Sequence, residues 1–572
     1  MSRVELKKPS VCTAGPLTNT SVKGSLSVIH GIIMSCYGPL GRMKQIHNGT
    51  GGCVLTTSQS SALFSGFSVS HPVIKLLIAS IRNHISSFSD CGLFAANLCC
   101  YLVSHFLNLN ISRPIIIKLS RILLNLCIGY LRSDECACKM KIEFNSSKPL
   151  FCLTKSVISS KPACMLTIQE ADYISTLILK AFLFTVPNTL EPSSILGKTV
   201  IVPVEGQNVM ESSVLPGLLL DMPEFFWSRS VPSEGLPSVE IKLALFSISL
   251  SGDFSETGEG TVHILNGVDT EGVMLDQLLI LGEKLVEDNV NLLVCQKVVH
   301  PTLKQYLKRQ NVFTVDRLGV ALVEPLSLMT GAQPIASLSS IPDTCYGRLQ
   351  SLSRWTLGSK HFWHFIPFDT SVCSFVLCNR SETSLKELMR TCKAAEHVLH
   401  LTLKDPFVLL GGGCTEVHLA AVLRYKSANM QSHCLNELNC TAAEYQLVSD
   451  SFCLSLESVA RNLEHDRGER LLDLQEGHCW SASSDGALDF QCSATGQQCG
   501  CGMYSRDDSF KWNVLGSRYE PFSPRKSTQT HSPTRMDKLV LDCFTAKWNG
   551  MQVAVNTAAL ILDLSYVVED QN

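Results

Sequence analysis

Between Leu275 and Val315 the chain alternates helix and short buried strand, and this stretch limits the available folds more than any other. Leu275 to Asp288 (LDQLLILGEKLVED) reads as a helix and Asn291 to Cys295 (NLLVC) as a short apolar strand. A second helix follows at Pro301 to Arg309, and a second strand at Asn311 to Val315. Helices returning between short apolar strands are the pattern of an α/β domain. The flanks, around Gly197 to Leu220 and Ala336 to Phe368, have the Val, Ile, Leu, Ser, Gly and Pro content of strands and turns.

On either side the pattern is helical. His71-Pro72 opens a segment in which Val73, Ile74, Leu76, Leu77, Ile78, Ile81 and Ile85 fall at helical spacing, and Pro72 suits a first turn. A further apolar helix is predicted from Ile174 to Phe184, after a connection from Ser133 to Pro149. Ser384 begins another helix, with Leu385, Leu388, Met389, Cys392, Ala395, Leu399 and Leu403 on one face and capping-box spacing to Glu387. Gly411-Gly412-Gly413 breaks the chain, and a last helix runs through Lys547 to Leu564. The Ser-, Gly-, Gln- and Pro-rich stretch from Leu474 to Arg535 reads as a long flexible excursion. Helical, then α/β, then helical again implies a helical domain built from both chain ends with an α/β domain inserted.

Composition narrows the function classes. At 572 residues the chain should hold three or four domains. Its 45% hydrophobic and 17% charged residues exclude a disordered chain. A net charge of -3 gives no electrostatic case for a nucleic-acid partner or an anionic membrane. Cys91 to Ser112 carries no charge over a length able to cross a bilayer, but Asn97, Ser104, His105, Asn108 and Asn110 make it a buried helix, so no membrane span is expected. Met1 to Lys8 has no apolar stretch behind its charges and is not read as a secretory signal. The 25 cysteines are then expected to be reduced, in the cytosol.

An ordered set of motifs resembles the group II chaperonins. Tyr37-Gly38-Pro39-Leu40-Gly41-Arg42-Met43 resembles their LGPKGM loop, and His71-Pro72 with its helix resembles EHPAAKLL. Ser89 to Leu93 falls on GDGTT, and Glu211 to Leu218 resembles the DSxLVxG segment leading into the apical domain. Cys295-Gln296-Lys297 and Thr330-Gly331-Ala332 resemble apical signatures. Leu410 to Glu416 resembles PGGGAxE, and Ala558 to Val568 the closing ILRIDDVI helix. The resemblance implies a mixed α and α/β, three-domain architecture: equatorial at 1–148 and 409–572, intermediate at 149–198 and 369–408, and apical at 199–368. Within the family, the sequence is similar to the chaperonin-like members of the Bardet–Biedl group. That likeness implies partners: sister Bardet–Biedl chaperonin-like proteins, cytosolic chaperonin subunits and subunits of the Bardet–Biedl coat complex. It also implies a place in the cytoplasm, at the centrosome, pericentriolar region and cilium base, with the nucleus left open.

The same resemblance implies an ATP site, and its residues are only partly kept. Glycines let backbone N–H groups approach phosphate oxygens. Gly38, Pro39 and Gly41 persist, but Leu40 stands where the family has Lys. Thr57 to Ala62 (TSQSSA) replaces TNDGAT, removing a carboxylate and a glycine. Asp90 survives as a candidate Mg²⁺ ligand, while Ser89 and Cys91 replace glycines and Gly92 and Leu93 replace threonines. Glu387 stands where the family's catalytic Asp lies, and one misplaced methylene at a general base costs about 10²-fold in rate. Gly411, Gly412 and Gly413 are intact, whereas Ser565 and Tyr566 replace two Asp residues. The expectation is no enzyme activity, with ATP and Mg²⁺ binding left open.

Other chemistry is weaker. Pro192 to Thr199 (PSSILGKT) ends like a Walker A loop at Gly197, Lys198 and Thr199, but lacks the first glycine, and Thr199 to Val202 reads as a strand. His478, Cys479, Cys492, Cys499 and Cys501 match no CxxC pairing, so no zinc is expected there, nor at Cys136 and Cys138. Helix Met274 to Asp288 is read either as a client-holding protrusion or as core. Taken together, the residues imply a chaperonin-like assembly factor without ATP hydrolysis. An active ATP-dependent folding subunit, or a centrosomal adaptor using the fold as a scaffold, remain the alternatives.

Overall fold

The computed structural model describes residues 10–47, 54–187, 196–221, 240–252, 270–338, 341–369, 371–430, 438–465, 468–482, 498–505, 510–525 and 538–569. The chain forms two compact units, Met1–Ile178 with Lys386–Asn572, and Leu179–Leu385. The segments expected to make an intermediate domain do not separate as a third unit. Residues 149–178 and 386–408 belong to the first unit, and 179–198 and 369–385 to the second.

The first unit is a helical core. Helix Gly92–Leu107 buries Leu98, Leu102 and Phe106 among Leu77 and Ile81 of helix Pro72–Phe88, Met551 and Ala558 of helix Phe544–Asp563, and Phe452 of helix Ala442–Arg461. Each large apolar side chain so buried contributes about 1.5 to 3 kcal/mol. Close approach depends on small residues: a Cβ added at Gly92 would lie 2.6 Å from Ile85 Cγ1 and 2.8 Å from Ser60 Oγ. His71 caps its helix by accepting from the Val73 N–H, and Pro72 occupies the first turn where no donor is needed.

Arg113–Arg132 is the described helix long and apolar enough to span a bilayer. It packs Ile116, Leu119, Leu123, Leu124 and Leu131 into this core instead. Strand Phe407–Leu410 lies between Leu541–Cys543 and Lys139–Lys141, antiparallel to both, so the Ser133 to Pro149 connection contributes a strand. Val11–Ala14 pairs antiparallel with Tyr566–Glu569, which ends the last helix at Asp563 rather than carrying it on.

Two sequence readings are corrected here. Helix Glu382–Lys404 starts before Ser384, which is buried inside it, so Ser384 and Glu387 do not form a capping box. Capping boxes form instead at Thr441 with Glu444 and at Thr167 with Glu170, each side chain bonding the other's backbone N–H. The described part of the expected flexible excursion builds a sheet: Glu469–Asp473 pairs antiparallel with Cys479–Ala482 and with Trp512–Val514. Trp480 is fully buried there against Phe510 and Trp512, apolar material that the polar average of the stretch conceals. Residues 483–497, 506–509 and 526–535 of that stretch lie outside the described residues.

The second unit is α/β. Strands Phe313–Val315, Leu292–Cys295 and Ile241–Phe246 run parallel, and Gly347–Leu349 closes the sheet antiparallel. Helix Thr270–Glu287 covers it with Leu278, Leu281 and Leu285, all buried in the core, while Val273 and Ile280 on the same helix stay exposed. Strand Lys198–Glu205 pairs in parallel with Val372–Asn379.

Candidate functional site

In the first unit a cavity of about 660 Å³ is lined by Gly38, Pro39, Asp90, Leu93, Gly412 and Gly413. Its size falls in the range of small-molecule and cofactor sites. Three of the loops that line it lie where a helix begins or ends, with residues of 155–161, 498–500 and 538–542 completing the wall. Gly38 follows helix Thr20–Ser35 with φ +83°, and Gly412 and Gly413 precede helix Cys414–Ala428 with φ +64° and +86°. Such values favour glycine. Ser89 and Cys91, which stand where the family has glycines, keep left-handed φ of 56° and 58°. The loop before helix Gly92–Leu107 therefore retains a glycine-type path on residues that pay strain for it.

Asp90 sits at that turn and lines the cavity. Among the described residues, its carboxylate receives only the Cys91 thiol, at 3.7 Å, and its backbone oxygen contacts His84 Nε2 at 3.0 Å. The carboxylate is thus available to a cation. Leu93 lines the wall with an apolar side chain where a hydroxyl would bond phosphate. Leu40 is 52% exposed and brings no charge to the cavity.

Other predicted residues are used elsewhere. A Cβ at Gly41 would lie 2.5 Å from Cys36 O, so that glycine serves close packing of the chain on itself. Gly411 donates its N–H to Val540 O at 2.8 Å. Glu387 is fully buried and does not line the cavity. Its Oε1 accepts from the Ser58 N–H at 2.8 Å and the Ser58 hydroxyl at 3.1 Å, and its Oε2 accepts from the Thr57 hydroxyl at 2.8 Å. A carboxylate so bonded anchors the strand Leu55–Thr57, and it is buried away from the cavity lining rather than presented to it. Ser565 O accepts from Gly15 N–H at 2.7 Å and Tyr566 pairs with Ala14, so both are part of the terminal strand pairing.

Gly197, Lys198 and Thr199 do not form a phosphate loop. A Cβ at Gly197 would lie 2.0 Å from Ser371 O, and Lys198 and Thr199 open a strand. Lys198 pairs with Glu324 at 2.5 Å.

The sequence reading missed a buried charge cluster on the cavity wall. Lys547 Nζ bonds Glu416 and, at 2.9 Å, Asp542, and it lies 4.1 Å from the Phe94 ring centre. Burial opposes the ammonium charge, but Asp542 and then Glu416 outweigh it, and the Lys547 pKa lies well above its ordinary value. Glu416 is visible in the glycine motif, but Asp542 and Lys547 reach it only because strand Leu541–Cys543 pairs with Phe407–Leu410.

A second departure concerns the thiols. Cys499 and Cys501 are buried beside Cys414 and His478, whereas Cys479 turns toward Arg470, whose Nη1 lies 3.8 Å from its sulfur. Cys492 is outside the described residues. Gly500 lies so close to Gly412 that a Cβ on the latter would be 2.1 Å from Gly500 O. Part of the Gly412 backbone that a phosphate would approach is thus covered by the chain itself. The residues fit a cation on Asp90 and an anion near Gly38 and Gly413, but Glu387 and Leu93 do not fit a hydrolytic step on that anion.

A helical unit with a glycine-turned, Asp-bearing cavity, and an α/β unit placed in the middle of the chain, are the arrangement of a chaperonin subunit. The chain belongs to the TCP-1/cpn60 chaperonin family, whose model matches residues 29–572. It is 50% identical over 572 residues to the molecular chaperone MKKS of Homo sapiens, with 100% of each chain covered. To the Mus musculus protein of the same name it is 49% identical over the same span. Thermosome subunit alpha of Sulfolobus acidocaldarius is 21% identical over 473 residues, 78% of this chain and 79% of that one.

Proposed function

We propose that this protein is a chaperonin-like assembly factor that works without an ATP-hydrolysis cycle. It binds folding or assembling subunits and sister chaperonin-like proteins, together with the cytosolic chaperonin, and helps build the Bardet–Biedl coat complex that cilia need. Its place of action is the cytoplasm, at the centrosome and cilium base. Family membership and the likeness to proteins named molecular chaperones support the chaperone part of this reading.

The single observation that carries the absence of turnover is the placement of Glu387, fully buried off the cavity lining and accepting three hydrogen bonds from Thr57 and Ser58. Phosphoryl transfer from a nucleotide needs a positioned base and charge neutralisation. Here the carboxylate at the base position is engaged by Thr57 and Ser58. The buried ammonium on the cavity wall, Lys547, is neutralised by Glu416 and Asp542. Nucleotide binding is a separate matter, and Asp90 keeps Mg²⁺-dependent binding within reach of this site.

The test is affinity purification from ciliated cells with and without ATP, beside an ATPase assay of the purified chain. Recovery of sister chaperonin-like proteins, cytosolic chaperonin and coat subunits, indifferent to ATP, is the expected outcome. Client release on ATP addition, abolished by Asp90→Ala, would overturn the reading in favour of an active folding subunit. Recovery of centrosomal proteins alone would favour an adaptor.

A further inference from the structure

We propose that Cys414, His478, Cys499 and Cys501 form a structural zinc site that clamps the segment 498–505 onto the glycine loop of the cavity. This goes against the sequence expectation that those thiols stay loose and metal-free.

The four residues are all buried, and one ligand atom from each lies within 4.8 Å of the other three. Cys499 Sγ and Cys501 Sγ are 3.3 Å apart, and Cys501 Sγ is 3.4 Å from His478 Nδ1. Bonds of about 2.3 Å to sulfur and 2.0 Å to nitrogen put the edges of a tetrahedral zinc site near 3.5 to 3.8 Å. The Cys499–Cys501 and Cys501–His478 edges need only tenths of an ångström to reach that geometry, and the widest separation in the cluster at most about 1 Å. A disulfide would instead need the Cys499 and Cys501 sulfurs at about 2.05 Å. Three thiols and one imidazole with no fourth position left open to solvent is a donor set for structural zinc, not for catalytic metal.

The surroundings are those that hold such ligands in place. The Tyr504 N–H points at Cys499 Sγ at 3.2 Å, the kind of outer bond that steadies a thiolate on a metal. Cys499 N–H donates to Tyr504 O at 2.9 Å, and Gly502, with φ +77°, turns the chain between them. His478 is fixed through its backbone. Asp473 accepts its N–H at 2.9 Å and the Trp480 indole N–H at 2.9 Å through Oδ2, and three further N–H groups of the turn through Oδ1. Cys414 opens helix Cys414–Ala428, where the helix dipole favours a thiolate.

The position gives the metal a task. Cys414 directly follows Gly413, and Gly500 lies between two of the ligands with its backbone against Gly412. Segment 498–505 has few large apolar side chains of its own, so a metal bond network supplies what a hydrophobic core would otherwise provide.

The experiment uses the full-length chain, purified without a histidine tag. Elemental analysis should find about one zinc per chain after dialysis. That zinc should fall to background in the Cys499→Ser/Cys501→Ser variant and persist in Cys479→Ser. Cobalt substitution should give the visible absorption of a tetrahedral thiolate site. In the unmodified protein, mercurial titration should release the zinc as three thiols react, a readout that stands even where the double variant fails to fold. Zinc-free protein with all three thiols open to alkylation, a Cys499–Cys501 disulfide in the peptide map, or zinc retained undiminished by the double variant would each overturn the proposal.

Discussion

If Glu387 holds the fold together rather than activating water, its removal must cost stability and leave ATP turnover unaffected. The side chain is fully buried and receives three hydrogen bonds, from the Ser58 N–H, the Ser58 hydroxyl and the Thr57 hydroxyl. In Glu387→Ala the Ser58 N–H, fixed in direction by the backbone, loses its acceptor outright, at about 1 to 3 kcal/mol. The two hydroxyls can rotate, and both already accept: Thr57 from the Gln59 N–H at 3.0 Å and Ser58 from the Ala163 N–H at 3.3 Å. Their loss is smaller, about 1 kcal/mol each. Together the three losses come to about 3 to 5 kcal/mol, and the lost packing of the stem adds to them. Glu387→Gln keeps one oxygen and turns an amide toward a hydroxyl, which should cost about 1 to 2 kcal/mol. Urea and thermal unfolding of the purified chain, run beside a phosphate-release assay, measure both effects. The expected order of stability is unmodified above Gln above Ala, with phosphate release at background in all three. A Gln variant as stable as the unmodified chain, together with phosphate release that falls on substitution, would refute the structural role and make Glu387 a base.

Four further outcomes follow from other parts of the molecule. Lys547→Met strands the buried Glu416 and the partly buried Asp542 carboxylates without their cation and should lower stability by about 3 kcal/mol, read as a lower unfolding midpoint. Asp90→Asn should leave the midpoint within about 0.5 kcal/mol, because a weak thiol contact is all it gives up, while abolishing whatever Mg²⁺-dependent nucleotide binding equilibrium dialysis detects. Met165 holds φ +51° with its side chain 68% exposed, so Met165→Gly should stabilise the chain by about 1 kcal/mol in the same unfolding assay. Burial, only partly offset by a bond to Pro216 O, pulls the His364 pKa below its usual 6.5. The unfolded chain therefore takes up a proton at higher pH than the folded one, and stability falls as pH drops from about 6.5 toward the folded pKa. The difference in melting temperature between pH 7.5 and pH 5 should shrink in His364→Gln.

Hydrophobic periodicity and local turn chemistry are one-dimensional signals, and where they set the structure the chain was legible. His71-Pro72 marked a helix start that the fold keeps, and NLLVC marked a buried parallel strand. The motif series from Gly38 to Gly413 led to the family and to three loops that do meet at one cavity. What a residue does once it arrives there depends on partners far away in the chain. Glu387 matched a catalytic position by spacing, yet Thr57 and Ser58, brought against it by packing, engage its oxygens. Lys547 looked like one more polar residue in a terminal helix until strand pairing set it between Glu416 and Asp542. The CxC at Cys499 was uninformative by spacing because its remaining neighbours, Cys414 and His478, come from another helix and another turn. By itself, the sequence determined the class of fold and the loops that build the site, because those rest on local backbone preference. Only the tertiary structure decided which carboxylate is free, which cation is neutralised and which thiols meet, because charge and ligand chemistry act through space over a few ångströms, whatever the separation along the chain.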